Sequence, residues 1–319
     1  MYTVAMIGAG SIIGYHLVQV EKHPETQLCA VADIVLEKAQ KAAQPYNAAA
    51  FSDYLEMLDT VKPNLVIINL PHALHETAAV ACAERGIHTL LEKPMSVSYA
   101  SCQRINAAFE KSDAILQIGH VQRYMPDVVA AREIIESGEL GEMIAIHETR
   151  NGAYFTEKRP RWFFQKKFAG GGIWNNLGAH SMDRICCLTG SRVAELTGKA
   201  TYSEAAEVDA GVHAFAVMEN GVTCSLCVCG HKVHPLTETK IDFAKGSMCL
   251  HMGGELLVSR NGGSYESIDL SKYPDPFAAQ WDTFVRGVHQ GHPLCCGGEY
   301  GAHILKHIES VWTPDKRSE

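Results

Sequence analysis

The stretch GGGIWNNLGAH, at residues 170–180, combines a glycine run with two groups that can act on a substrate. Asn176 and His180 are four residues apart, and residues at this spacing share one face of a helix. An imidazole can transfer a proton near neutral pH, whereas an amide can only position a partner by hydrogen bonding. The stretch therefore predicts a loop and a helix start that present an amide and a proton-transfer group together.

A second proton-transfer candidate, Lys93, follows the apolar run IHTLLE and precedes Pro94. It should lie at the end of a buried strand. Partial burial beside a positively charged cofactor ring would lower the pKa of such a lysine toward the range where a general base works best. The alternative is an ordinary surface lysine at a strand terminus.

The first strand, YTVAMI, leads into glycines that are typical of a dinucleotide site. Gly8 and Gly10 have the G-x-G spacing, although Ile13 occupies the third glycine position. A second strand, QLCAVAD, ends in Asp33, where a ribose-binding carboxylate is expected. Since Ile34 follows, with no Arg or Lys nearby to meet a 2′-phosphate, the sequence favours NAD over NADP.

The first half of the chain alternates between apolar strands and helical segments. This pattern predicts an α/β fold with a doubly wound parallel sheet. Ligands of such sheets lie beyond the carboxyl ends of the strands. The segments NLPHALH, LLEKP and GHVQRY all begin at predicted strand ends, so we expect them to line one crevice.

The second half predicts a mostly antiparallel sheet. VHAFAVMENGVTCSLCV alternates around ENG as a hairpin does, and KIDFAKGSMCLHMGGELLVSR continues the meander. Two closing helices are predicted at 277–289 and 300–311, followed by a polar, frayed tail at 313–319. A broad sheet with one uncovered face favours a homodimer or homotetramer.

Composition limits the possible partners and compartment. The net charge of −8 argues against nucleic-acid binding, and the longest apolar run is too short to span a bilayer. No basic leader precedes the first strand, so no export signal is expected. The 11 cysteines are therefore interpreted as reduced thiols of a cytoplasmic protein.

Two other segments have alternative interpretations. Cys227, Cys229 and His231 would share one face of a strand and could bind zinc, but a half-buried strand is favoured and no metal is predicted. The basic and aromatic stretch TEKRPRWFFQKK, at 156–167, is either an anion-binding patch or a solvated loop. His231 or His234 could instead contact substrate.

Taken together, these motifs resemble the glucose-fructose oxidoreductase and inositol dehydrogenase family, written Gfo/Idh/MocA. The segments that carry the resemblance are GAG with His16, Asp33, LPHALH at 70–75, EKP at 92–94, GHVQRYMP at 119–126 and GGGIWNNLGAHSMD at 170–183. The resemblance implies a Rossmann domain at 1–119 and a substrate-binding and oligomerisation domain with an open, mostly antiparallel sheet at 120–319. It also implies hydride transfer between NAD and a secondary alcohol of a sugar, sugar derivative or cyclitol.

The resemblance also assigns individual roles. Lys93 and His180 transfer the proton, Asn176 positions substrate where the family usually has Asp, and the Lys93–Pro94 bond is cis. Gln122 and Asp183 are further substrate-binding candidates, and Arg123 is either a neighbour of substrate or structural. The expected cofactor-binding residues are Gly8, Gly10, Ser11, Ile12, Asp33, Leu70, Pro71, His75, Glu92 and Lys93.

Two other functions remain open for the same residues. A redox-neutral enzyme would oxidise a sugar carbon transiently, allow elimination or epimerisation, and retain its NAD. A non-catalytic NAD-binding sensor would need no proton transfer, and Asn176 in place of the usual acid leaves this alternative open.

Overall fold

A computed structural model of the chain describes residues 1–203 and 206–312. The polar tail predicted at 313–319 lies outside the described residues. All 11 cysteines are thiols. Across the described part of the chain, no helix combines the length and the apolar character that crossing a bilayer requires.

The chain divides into two compact units. The first contains residues 1–120 and 277–303, and the second contains residues 121–276 and the segment from Ile304 onward. The resemblance implied a second domain at 120–319, which includes the segment 277–303. In the structure this segment groups with the first unit, because its side chains pack into the core of that unit.

The first unit is a six-stranded parallel sheet with the order β3-β2-β1-β4-β5-β6. Its strands are β1 Tyr2–Ile7, β2 Thr26–Ala32, β3 Ala49–Phe51, β4 Leu65–Ile68, β5 His88–Glu92 and β6 Leu116–Gly119. The helices between them are α1 Ile13–Lys22, α2 Leu36–Ala43, α3 Tyr54–Val61, α4 His75–Ala83 and α5 Tyr99–Phe109. The predicted Rossmann arrangement is confirmed, although α3 and the short strand β3 were not predicted.

The core of the first unit explains why a late segment of the chain groups with it. Apolar side chains of β1 and β4, such as Val4 and Ile67, are completely buried, as expected for a parallel sheet covered on both faces. Trp281 and Phe284 join the same core, and the indole N–H of Trp281 donates to the Thr26 hydroxyl at 3.3 Å. Burial of two large aromatic side chains stabilises this docking by several kcal/mol, at roughly 1.5–3 kcal/mol for each side chain.

The second unit is built on an eight-stranded sheet with the order β14-β13-β12-β11-β7-β10-β9-β8. Among the strand pairs that the structure describes in this sheet, only β7 and β10 are parallel, so the predicted mostly antiparallel sheet and the hairpin around ENG are confirmed. The strands are β7 Met143–Asn151, β8 Val193–Tyr202, β9 Asp209–Met218, β10 Thr223–Cys229, β11 Leu236–Phe243, β12 Gly246–His251, β13 Glu255–Arg260 and β14 Glu266–Ser267. The remaining α-helices of the described residues, in either unit, are α6 Pro126–Ser137, α7 Lys166–Ala169, α8 Ala179–Thr189, α9 Pro276–Gln290 and α10 Gly298–Ser310.

The two faces of the second sheet differ in chemistry. Helices α6 and α8 pack on the sheet through β7, β12 and β13. Along β10, Cys224, Leu226 and Val228 are buried, whereas the side chains between them are half-buried or exposed. We call the half-buried and exposed side of this sheet the outer face.

Candidate functional site

The glycine turn after β1 has one position that only glycine can occupy. Gly8 has φ +94°, and a Cβ there would lie 2.6 Å from the main-chain oxygen of Asn69. At Gly10, by contrast, a Cβ would meet nothing within 4 Å. The first glycine therefore closes the turn, and the second leaves open space in front of the start of α1, where a pyrophosphate binds in folds of this type.

Asp33 connects this turn to the end of β2. One carboxylate oxygen accepts the main-chain N–H of Ala9 at 2.8 Å, and the other accepts that of Val35 at 2.9 Å. Each oxygen still has a second lone pair that can accept a ribose hydroxyl. The residue that follows this acid is Ile34, which is uncharged and 93% exposed. It therefore offers no cation to a 2′-phosphate.

Asn69, which sequence reasoning did not select, lies in the same region. It follows β4, and its main-chain N–H donates to the Ile7 oxygen at 2.7 Å. The side chain is buried, yet neither polar atom has a hydrogen-bond partner among the described residues. A polar ligand bound in the open space at the glycine turn would supply the missing hydrogen-bond partners of this buried amide. The signal in the sequence was an amide at the end of the apolar run LVIIN.

Glu92 and His16 fix the main chain just before Lys93. The Glu92 carboxylate lies 2.9 Å from Nε2 of His16 and accepts the Lys93 N–H at 3.2 Å. Burial alone would raise the pKa of Glu92, but the hydrogen bond and charge of His16, together with Lys93, hold it below its usual value. An ionised carboxylate therefore anchors this loop.

His75 ties together two loops that follow neighbouring strands. Its Nδ1 lies 3.0 Å from the Pro94 oxygen, and its Nε2 lies 2.8 Å from the Leu70 oxygen. The ring is fully buried, and burial lowers the pKa of His75 although both carbonyls act against this. The Lys93–Pro94 peptide is cis, as the resemblance implied. Both ring nitrogens of His75 thus face main-chain oxygens, which indicates a positioning role.

The other predicted cofactor residues lie on the loops at the same edge of the parallel sheet. They are Ser11, which is exposed, and Ile12, Leu70 and Pro71, which are partly buried. The open space at Gly10, the anchored Asp33 and the unsatisfied amide of Asn69 together fit a dinucleotide.

In the second unit, the glycine run packs closely against the protein itself. A Cβ at Gly172 would overlap the Asp209 main-chain oxygen, and one at Gly171 would overlap the indole of Trp312. The Asp209 carboxylate accepts the N–H of Gly172 at 2.7 Å and that of Trp174 at 2.8 Å. The structure thus gives these glycines a packing role, while close approach to a cofactor stays a prediction. Asp209 was not predicted.

Asn176 lies in an irregular segment of helix. Trp174–Gly178 form a π-helical turn, and regular α-helix begins only at Ala179. The α-helical spacing used to predict a shared face for Asn176 and His180 therefore does not apply directly. Both side chains are buried, and the Asn176 amide donates to the Tyr154 hydroxyl at 3.2 Å. Single π turns occur frequently at functional sites.

Ion pairs lie on α8 and next to it. Asp183 is fully buried and pairs with Arg123 at 2.9 Å, so the structure assigns this acid an ion-pair partner. Glu148 pairs with Arg150 at 3.0 Å and accepts the Ser181 hydroxyl of α8 at 3.0 Å.

The other predicted substrate residue, Gln122, joins the same network, because its side-chain oxygen accepts Arg150 at 3.1 Å. Arg150 itself is buried. These contacts connect the segment after β6 to β7 and α8, and sequence reasoning did not anticipate them.

The basic stretch at 156–167 is only partly a solvated patch. Arg159 stacks on the Tyr154 ring at 4.0 Å and donates to the Tyr154 main-chain oxygen at 2.9 Å. The other four cations, Lys158, Arg161, Lys166 and Lys167, are exposed. Arg159 therefore supports the partner of Asn176, and anion binding by the rest stays a prediction.

Comparison with known sequences identifies the family. Residues 2–120 match the Gfo/Idh/MocA oxidoreductase family, NAD-binding Rossmann fold, and residues 128–249 match the C-terminal domain of the same family. The chain belongs to this family, and its first unit contains the family's NAD-binding domain.

Several relatives are named as dehydrogenases of ring compounds. The chain is 27% identical over 230 residues to 1-carboxy-3-chloro-3,4-dihydroxycyclohexa-1,5-diene dehydrogenase of Comamonas testosteroni, covering 72% of this chain and 58% of the relative. It is 32% identical over 146 residues to inositol 2-dehydrogenase of Salmonella typhimurium, covering 44% of each. The matches thus span about half the length of these relatives.

Among solved structures, levoglucosan dehydrogenase in complex with NADH superposes with a TM-score of 0.88. The superposition covers 98% of this chain and 96% of that chain at 18% identity. At this identity the likeness shows the fold.

Proposed function

We propose that this protein is an NAD-dependent oxidoreductase that moves a hydride between nicotinamide and a secondary alcohol of a sugar, sugar derivative or cyclitol. The supporting observation is the fixed main chain around Lys93. Glu92 accepts the Lys93 N–H on one side, and His75 contacts the Pro94 oxygen on the other. A lysine held in this way, at the carboxyl end of a parallel strand, suits repeated proton transfer at a defined atom.

NAD, when bound, supplies the hydride acceptor, and the chain's own residues supply binding and proton transfer. Gly8, Gly10, Asp33 and Asn69 would hold the dinucleotide. Lys93 would take the hydroxyl proton, and His180 would share this proton transfer. The amide of Asn176, oriented by Tyr154, would position substrate, since an amide cannot take a proton itself.

The proposal is tested by the appearance of reduced-nicotinamide absorbance with NAD or NADP and a panel of cyclitols, hexoses, anhydrosugars and nucleotide sugars. We expect turnover with NAD and one hydroxyl pattern. In Lys93→Met, kcat should fall by about 10²–10⁴, the usual contribution of a general base, while NAD still binds. The matched control, Lys111→Met, removes an exposed lysine after α5 and should leave kcat unchanged.

Wild-type turnover by Lys93→Met would contradict the proposed role of this lysine. If the panel gives no NADH but the protein retains NAD through gel filtration and converts a sugar without net redox change, the redox-neutral alternative replaces the dehydrogenase. Binding of NAD with no conversion at all would favour the sensor.

We also propose that the outer face of the second sheet is covered by another copy of the chain. Phe215 is 49% exposed on this face. Analytical ultracentrifugation should show a species larger than the 34.9 kDa chain, and a monomer at all concentrations would reject the proposal.

A further inference from the structure

The outer face of the second sheet brings three metal-binding side chains together. Glu238 on β11 lies directly opposite His251 on β12. Cys249 precedes His251 by two residues, so both side chains project from the same face of the strand. One donor atom from each of the three lies within 4.8 Å of the others.

The donor atoms are spaced as a zinc ion would require. Zn–S bonds of about 2.3 Å and Zn–N and Zn–O bonds of about 2.0–2.2 Å, at tetrahedral angles, place donor atoms roughly 3.3–3.6 Å apart. Cys249 Sγ lies 3.2 Å from His251 Nε2, and His251 Nε2 lies 3.7 Å from Glu238 Oε2. Both distances are within a few tenths of an ångström of a tetrahedral edge.

The chemistry of the donors also favours zinc. A thiolate and an imidazole are ligands that zinc prefers, while magnesium and calcium prefer sets of oxygen atoms. The side chains of Glu238 and His251 are 36% and 42% exposed in the single chain, so an ion can reach them from solvent before another copy covers this face.

Neighbouring charges leave this position available to a cation. Lys240 stands directly opposite Cys249, but its ammonium group pairs with Asp242 at 3.1 Å. A bound dication would offset the repulsion between the Cys249 thiolate and the Glu238 carboxylate.

We propose that Glu238, Cys249 and His251 form a zinc site, with water as the fourth ligand. On binding, the Cys249 thiol releases its proton to solvent as the Zn–S bond forms. The β11–β12 hairpin turns between Phe243 and Gly246, and the site lies at its other end. The ion would therefore clamp the two strands where the hairpin is open.

The sequence did not predict this site because its ligands lie on two strands without a C-x-x-C motif. Cys227 on β10 supplies an internal control on the same face. Cys227 Sγ lies 3.6 Å from His213 Nε2, but among the described residues no third ligand completes that pair.

The test uses the full-length protein after treatment with a chelator. Zinc is titrated in competition with a chromophoric chelator, and cobalt is added separately to record absorption spectra. We expect one zinc per chain and a sulfur-to-cobalt charge-transfer band. Cys249→Ser should abolish the band and weaken zinc binding by more than the roughly 10–100-fold that loss of an outer-shell partner costs.

Glu238→Gln and His251→Gln should also weaken binding, whereas Cys227→Ser should behave as wild type. Zinc should raise the Tm of the wild type and of Cys227→Ser but not that of Cys249→Ser. Equal zinc binding by the wild type and all three ligand variants would overturn the proposal, as would a wild-type cobalt spectrum without the sulfur band. If circular dichroism shows that Cys249→Ser does not fold, the zinc affinity of Glu238→Gln tests the proposal instead, because the Glu238 side chain is partly exposed.

Discussion

The two units position their predicted site residues by different kinds of contact. In the first unit, Asp33, Glu92 and His75 contact main-chain groups of the loops that follow the parallel strands. In the second unit, Asp183 and Glu148 are buried and form ion pairs with side chains, Asp183 with the partly exposed Arg123 and Glu148 with the buried Arg150. Main-chain contacts depend on backbone conformation, whereas a buried ion pair depends on both of its partners. Substitutions should therefore have different consequences in the two units.

The largest effect is expected from Arg150→Met in the second unit. The change leaves the buried Glu148 without its cation, and an uncompensated buried charge costs about 3–5 kcal/mol. Urea unfolding should report this loss. Glu148→Gln combined with Arg150→Met should recover part of it.

The matched control, Arg132→Met, removes one partner of an exposed pair with Glu136 on α6. This change should cost less than about 0.5 kcal/mol. Equal losses for Arg132→Met and Arg150→Met would show that the buried pair does not support the second unit in the way described.

In the first unit, the sharpest comparison is between two glycines of one turn. Gly8→Ala places a methyl group against the Asn69 oxygen at a positive φ, and should lower the free energy of unfolding by about 1–3 kcal/mol and weaken NAD binding. Gly10→Ala points into open space, so stability should change by no more than about 0.5 kcal/mol. NAD affinity should nevertheless fall, because the methyl group occupies the cradle.

Urea unfolding and NAD titration by tryptophan fluorescence measure the two quantities separately. If Gly10→Ala binds NAD as the wild type does, the open space at this glycine is not the dinucleotide cradle.

The first unit was the more predictable of the two because its signals are local. Gly8, Gly10 and Asp33 lie at fixed offsets from two apolar strands, and those offsets follow from the geometry of the turn and the helix start. Asn69 was missed because its significance depends on Gly8, which is distant in sequence.

The second unit was harder to predict because its contacts are distant in sequence. The strand alternation predicted the antiparallel sheet, but no local pattern links Asp209 to Gly172 or Tyr154 to Asn176. Likewise, neither the π-helical turn at Trp174–Gly178 nor the grouping of 277–303 with the first unit follows from local propensity. Both are packing outcomes.

A smaller effect is expected from Tyr154→Phe, which tests how the second unit orients Asn176. The change removes the hydroxyl that accepts the Asn176 amide and should cost about 1 kcal/mol of stability, the typical value of one hydrogen bond. If Asn176 positions substrate, KM should rise while NAD affinity stays the same. The matched control is Tyr202→Phe on β8, where the ring is 60% exposed and no effect is expected. An unchanged KM in Tyr154→Phe would indicate that Asn176 does not position substrate.

The pH dependence of stability gives the finest comparison, since Glu92 and Asp209 differ in the direction of their shifts. Burial alone would raise the pKa of Glu92, but His16 and Lys93 lower it overall. The stabilisation from Glu92 is therefore present above its unfolded pKa and lost as the pH falls through the folded pKa. Burial raises the pKa of Asp209, and the N–H groups of Gly172 and Trp174 offset only part of this. The stabilisation from Asp209 is therefore fully present below its unfolded pKa and is lost as the pH rises through its folded pKa.

Two amide variants should reveal these opposite signs. Glu92→Gln should cost most near neutral pH and less on acidification, whereas Asp209→Asn should cost most at acid pH and less near neutrality. The two costs should change in opposite directions as the pH passes through the range in which carboxylates titrate, roughly pH 3 to 6. Urea unfolding of both variants and the wild type across this range measures them. If the costs of the two variants change with pH in the same direction, the pKa values of Glu92 and Asp209 are shifted in the same direction. The contrast between the two units would then be confined to their ion pairs.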